Sequence, residues 1–111
     1  MKTIDRTQLQ TWLQEGRELT LVEVLDEAAF EQYHLPGAIN VPVSDNDFEQ
    51  NVEQAVPDKT RPVVVYCANT KCDASPRAAR KLEAAGYTDV IDYEAGKADW
   101  KEAGLPIEKA A

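Results

Sequence analysis

The sequence predicts an α/β domain, and three features carry that prediction. Short β-branched runs, above all Val63-Val64-Val65, alternate with stretches whose apolar residues recur at helical spacing. Helix-start and helix-stop residues stand where one pattern gives way to the next. The chain has 111 residues, 43% of them apolar, which suits one core and one domain spanning 1–111.

The elements follow in order. Asp5 with Gln8 three residues on reads as a capping box. Leu9, Trp12 and Leu13 then share a helical face, and Gly16 suits the position after the helix. Leu19 to Val24 reads as a strand. Asp26 caps a short helix carrying Ala29, Phe30 and Tyr33. Pro36-Gly37 is a turn, and Ala38 to Val41 a short strand. Ser44 to Val56 reads as a polar helix that Pro57 ends. Pro62 to Tyr66 is the most apolar run, expected to be a central parallel strand. Ser75-Pro76 predicts a helix start, with Ser75 as cap and Pro76 first in the helix. Ala78, Ala79, Leu82 and Ala85 line its buried face and Gly86 closes it. Asp89 to Asp92 is the next strand, and a last short helix carries Trp100.

Charge narrows the function. Twelve basic against twenty acidic residues leave a net charge of -8. That argues against a nucleic-acid partner and against an anionic membrane surface. No apolar run approaches the roughly 18 residues of a membrane span. Met1 to Arg6 has no apolar stretch behind its charge, so no signal peptide is expected. The expectation is a cytoplasmic protein, a monomer at this size, with Cys67 and Cys72 as free thiols.

Cys67 is the candidate catalytic residue. It follows the central strand, and Cys67-Ala68-Asn69-Thr70-Lys71-Cys72-Asp73-Ala74 leads from it to the next helix. Ligands of open parallel sheets bind beyond the carboxyl ends of the strands. Backbone N–H groups and a helix N-terminus there favour negative charge, which predicts a thiol with a lowered pKa. Lys71, Arg77, Arg80 and Lys81 predict a locally positive end, unless Arg80 and Lys81 only solvate their helix. The other reading of Cys67 is a small buried hydrophobe that ends a core strand. Cys72 is either a partner thiol or an incidental loop residue. With His34 the lone histidine and no further cysteine, neither a zinc site nor any cofactor is expected. A thiol phosphatase needs an Arg at the end of this loop. Asp73 stands there and would repel a phosphate, so phosphatase chemistry is disfavoured.

Several strings of the sequence resemble the single-domain rhodanese-like sulfurtransferases. They are Leu21-Val22-Glu23-Val24, then Phe30, then His34-Leu35-Pro36-Gly37-Ala38-Ile39-Asn40-Val41-Pro42. Val64-Val65-Tyr66-Cys67 with Ala78-Ala79, Leu82 and Gly86-Tyr87 resembles the active-loop strand and helix. Ala95-Gly96, Trp100 and Ala103-Gly104-Leu105-Pro106 resembles the family's ending. The resemblance implies a three-layer fold: a five-stranded, largely parallel sheet with helices on both faces. It implies that Cys67 carries sulfane sulfur as a persulfide. The donor would be thiosulfate or a small or protein-borne persulfide, and the acceptor a thiol. Ala68, Asn69, Thr70, Lys71, Cys72 and Asp73 would bind the substrate, and His34 would order its turn. Three positions depart from the family pattern. Glu23 and Leu25 replace its Asp and Arg, so an ion of that pattern is missing. Tyr33 replaces its Gly. Counted to Ser75, the loop is two residues longer than usual, an atypical loop that lacks Arg. Two alternatives therefore stay open: a redox protein cycling Cys67 and Cys72, or a non-catalytic binding or regulatory module of the same fold.

Overall fold

The computed structural model describes residues 2–109. In chain order its elements are β1 (Lys2–Ile4), α1 (Arg6–Gln14), β2 (Thr20–Glu23), α2 (Glu27–Gln32), β3 (Ile39–Asn40), α3 (Phe48–Ala55), β4 (Val63–Tyr66), α4 (Ala74–Ala84), β5 (Val90–Tyr93) and α5 (Gly96–Glu102). The strands form one sheet in the order β1-β5-β4-β2-β3, and every neighbouring pair is parallel. The α/β class and the central place of β4 agree with the sequence reading. Among the described residues no helix is long and apolar enough to cross a membrane.

Strand β4 is buried along its whole length and its side chains alternate between two cores. Val64 and Tyr66 face a core with Leu9 of α1 and Trp100 of α5. Val63, Val65 and Cys67 face the other, with Phe48 and Val52 of α3 and Ala78, Ala79 and Leu82 of α4. Helices thus cover both faces of the sheet, and Cys67 falls on the α3/α4 side.

Local rules account for most boundaries. The Asp5 side chain accepts from the Gln8 N–H, and the Gln8 side chain accepts from the Asp5 N–H in return. Asp26 caps α2 through the Ala29 N–H. Gly86 closes α4 with a φ of 103°, which a residue with a Cβ adopts at a cost.

Three expectations need correction, and one strand was not anticipated. β1 has no apolar alternation to announce it; it is an edge strand held by pairing with β5. The strand expected over Ala38 to Val41 shrinks to Ile39–Asn40. α3 starts at Phe48 rather than Ser44, because Asp45 turns its carboxylate back onto the Asp47 N–H and holds that segment in turns. α4 starts at Ala74 with Asp73 in the cap position, not Ser75. Pro76 is then third in the helix, where its missing N–H costs nothing because first-turn N–H groups have no partner within the helix. Freed from capping, Ser75 turns inward and is 1% exposed.

Candidate functional site

Cys67 lies at the carboxyl end of β4, fully buried. Its thiol lies 3.6 Å from the Cys72 carbonyl oxygen and 3.6 Å from the Ser75 hydroxyl. Both cysteines are free thiols.

The intervening loop is organised by its own residues and by α5. Asn69 accepts the Lys71 N–H through its side chain at 2.9 Å and the Cys72 N–H through its carbonyl at 3.1 Å. These two amides are therefore spent inside the loop rather than aimed at Cys67. At the other end, the Lys97 N–H donates to the Cys67 carbonyl at 3.0 Å and the Ala98 N–H to the Ala68 carbonyl at 2.9 Å. The first turn of α5 thus grips the start of the loop through N–H groups that have no partner inside their own helix.

Two residues of α5 make that grip possible. Gly96 sits at φ 74°, and a Cβ built there would lie 2.6 Å from the Cys67 carbonyl oxygen and 2.7 Å from the Ala68 carbonyl carbon. Lys97 runs beneath the sheet end, 4% exposed. Its ammonium donates to Glu23 Oε2 at 2.9 Å and to the carbonyls of Ala29 and Tyr33 at 2.8 Å each. Glu23 therefore has a buried cation, supplied from a point 74 residues along the chain. Position 25 does not supply it. Even so, burial leaves the Glu23 carboxyl above the usual carboxylate range, with Lys97 pulling it down.

The expectation of a lowered Cys67 pKa is overturned. The thiol is pushed up to about 11, chiefly by burial and then by hydrogen bonding with the Cys72 side chain; the Ser75 hydroxyl and N–H act against both. A thiolate needs several donors to offset burial, and Ser75 alone does not suffice. Alkylation of Cys67 should accordingly be slow at pH 7 and climb about tenfold per pH unit up to pH 10, with no plateau. Iodoacetamide labelling followed by trypsin checks this, since cleavage after Lys71 separates the two cysteines. A plateau below pH 9 contradicts the buried thiol described here.

The other expected site residues are scattered. Thr70 and Lys71 are exposed, and Cys72 is half-buried. Asp73 faces solvent and pairs with Arg77 at 3.6 Å. Lys81 pairs with Glu49 at 3.8 Å. The expected positive end is thus partly neutralised by acids. Beside Cys72 and Ser75 lies a cavity of about 170 Å³, lined by Thr70, Cys72, Ser75, Pro76, Asp92 and Glu94, with no basic residue. His34 stacks on Phe30 at 3.8 Å, its Nδ1 lies 2.9 Å from the Phe30 carbonyl, and its backbone pairs with Glu108. These contacts tie His34 to α2 and to the segment around Glu108. Among the described residues no group of three His, Cys, Asp or Glu side chains is placed to hold a metal.

Sequence reasoning missed Lys97, Asp92 and the inward role of Ser75. Gly96 was in view within Ala95-Gly96. Nothing local marked Lys97, because its carboxylate partner is far away in sequence.

The profile of the rhodanese-like domain matches residues 5–103. The chain is 33% identical over 97 residues to the HTH-type transcriptional regulator Rv0324 of Mycobacterium tuberculosis, covering 87% of this chain and 41% of that protein. It is 30% identical over 104 residues to the probable adenylyltransferase/sulfurtransferase MoeZ of the same species, covering 94% of this chain and 26% of that protein. The chain therefore spans less than half the length of either relative. Among solved structures it superposes on a thiosulfate sulfurtransferase from Pseudomonas aeruginosa with a TM-score of 0.87 and 29% identity, over 100% of this chain and 20% of that one. It superposes on the rhodanese-like domain of the Anabaena protein Alr3790 with a TM-score of 0.83 and 26% identity, over 98% of this chain and 80% of that one.

Proposed function

The chain belongs to the rhodanese-like domain family, and from that premise we propose that it is a sulfurtransferase that carries sulfane sulfur as a persulfide on Cys67. The observation that carries this reading is the place of Cys67. It ends the central parallel strand, on a loop whose backbone α5 holds in position, beside a cavity.

The chemistry is two displacements at sulfur. Cys67, as its thiolate, attacks the outer sulfur of a persulfide-type donor. A bond forms at Sγ, the donor's own sulfur–sulfur bond breaks, and the donor leaves as a thiolate that takes up the proton Cys67 gave up. An acceptor thiol then attacks the outer sulfur of the Cys67 persulfide and releases the free cysteine. With the resting thiol pushed up to about 11, the donor must bring about its activation. Displacing the thiol from the Cys72 carbonyl removes one group that stabilises the protonated form.

Persulfide donors suit the site better than thiosulfate, because the adjoining cavity holds carboxylates and no cation. Intact mass after incubation with a small persulfide is the direct test. The expected result is one added sulfur atom on the wild type, removed by a thiol, and none on Cys67→Ala. No added sulfur on the wild type, or sulfur retained by the variant, overturns the reading.

A second reading has an observation of its own. The Cys67 thiol reaches the Cys72 carbonyl and hydrogen-bonds with the Cys72 side chain. Under a peroxide-type oxidant the pair would close to a disulfide. Loss of both free thiols together, restored by dithiothreitol, would favour redox cycling over sulfur transfer.

A further inference from the structure

Asp92 is the residue that neither the fold nor the transfer chemistry has used. It sits on β5 in register with Val65 of β4 and is fully buried. Neither of its carboxyl oxygens has a well-formed hydrogen bond among the described residues. A buried carboxyl left in that state is costly. It lines the 170 Å³ cavity beside Cys72 and Ser75, and Ser75 in turn contacts the Cys67 sulfur at 3.6 Å.

The cavity is acidic. Its charged groups are Asp92 and Glu94; Thr70 and Ser75 add hydroxyls. No basic residue lines it. Arg77 pairs with Asp73, and Lys71 lines the neighbouring open groove, which shares Thr70 with the cavity. The volume equals that of about six waters, room for a molecule of four to six heavy atoms.

We infer that this cavity binds the sulfur acceptor, and that the acceptor is a small aminothiol whose ammonium rests on the Asp92 carboxylate while its sulfur meets the Cys67 persulfide. The inference rests on the transfer reading and specifies its substrate class. The step balances. The aminothiol loses its thiol proton and attacks the outer sulfur, the bond from that sulfur to Sγ breaks as the new one forms, and Sγ takes up a proton. The products are an aminothiol persulfide and the Cys67 thiol, with no net change in oxidation state.

Ionisation sets the pH dependence. Asp92 is faced by Ser75 and Pro76 from α4, by Thr70 and Cys72 from the loop, and by Glu94 from beyond its own strand. Burial pushes its carboxyl up, the Ser75 hydroxyl pulls it down, and Glu94 adds to the rise. The carboxylate that holds the ammonium is lost as pH falls through this raised pKa, so aminothiol binding should strengthen as pH rises through it.

The test compares cysteamine with 2-mercaptoethanol, which lacks the ammonium, as acceptors from the persulfide-loaded protein. The two thiols differ in acidity, so the quantity read is the change that Asp92→Asn causes in each. The expected result is a loss of about tenfold in rate constant with cysteamine and less than twofold with 2-mercaptoethanol. Equal losses, or none, overturn the inference. A second measurement needs neither transfer nor an Asp92 variant. In Cys67→Ser, cysteamine should shift the amide resonances of Thr70, Cys72 and Glu94 to saturation, more tightly at pH 8 than at pH 5.5, and 2-mercaptoethanol should not. Shifts with both, or with neither, also overturn it. If those shifts occur while no acceptor drains sulfur from Cys67, the transfer reading falls and the cation site stands.

Discussion

Replacing Lys97 with methionine should lower the unfolding free energy by about 3–5 kcal/mol at pH 7.5, the cost of stranding one partner of a buried ion pair. Typical domains have only about 5–15 kcal/mol in total. Methionine keeps the length and the apolar stem, so the loss isolates the ammonium. Three acceptors would go without it: Glu23 Oε2 and the carbonyls of Ala29 and Tyr33. Those carbonyls lie in the last part of α2 and just beyond it, so the helix end would fray as well. The melting temperature should fall by roughly 15 °C or more. The pH dependence has a definite sign. Glu23 holds its proton above the usual carboxylate range in the folded protein. Stability tied to that raised pKa is present below the unfolded value, near 4.5, and is lost as pH rises through the folded one. Without Lys97 the folded pKa rises further. The deficit of Lys97→Met should therefore be larger at pH 7.5 than at pH 5. Urea unfolding at the two pH values checks it. Adding Glu23→Gln to Lys97→Met should restore more than half of the loss, because the stranded charge is then gone. A deficit independent of pH, with no recovery in the double variant, would mean that the ion pair is not what Lys97 contributes.

Gly96→Ala should damage both the fold and the site, through two separate causes. The first is backbone conformation. At φ 74° an L-residue costs about 1–2 kcal/mol. The second is space. The new Cβ would meet the Cys67 carbonyl oxygen at 2.6 Å and the Ala68 and Asn69 backbone at 2.7 Å. These are backbone atoms of the loop after β4 and cannot rotate away. Relief requires α5 and the loop to separate, which stretches the bonds from Lys97 and Ala98 to Cys67 and Ala68. The combined cost should be roughly 3 kcal/mol. A displacement of about 1 Å at a reacting group can cost some hundredfold in rate. Sulfur uptake by Cys67, followed by intact mass against time, should slow on that scale. Gly104→Ala supplies the control. Gly104 has a similar φ of 77° but nothing within 4 Å of its would-be Cβ. It should show the conformational cost alone and no change in uptake rate. Equal effects of the two substitutions would remove the steric half of the argument.

The sequence was informative wherever a property depends on near neighbours. The Asp5–Gln8 capping box, the Asp26 cap and the buried Ala78-Ala79-Leu82 face were all legible, because each is decided within about one helical turn. Ser75 shows the limit. Ser-Pro is a sound start signal, yet the helix begins two residues sooner. The burial available to Ser75 beside Cys67 outweighs its value as a cap. The Asp45 turn shortened α3 in the same manner, a local alternative that the apolar spacing of Phe48, Val52, Ala55 and Val56 does not reveal.

The sequence by itself determined the α/β class, the central place of β4, the position of Cys67 at its end and the family resemblance. These follow from residue pattern, hydrophobic period and motif, which are written along the chain. Only the tertiary structure decided the state of that cysteine. Its pKa is pushed up because the protein buries it and sets the Cys72 side chain against it, neither of which spacing encodes. Only the tertiary structure brought Lys97 to Glu23, Gly96 against the Cys67 carbonyl and Asp92 into the cavity beside Ser75. Desolvation and close contact are set by what surrounds a group in space. For Cys67 those surroundings come from segments as far apart as β5, α4 and α5.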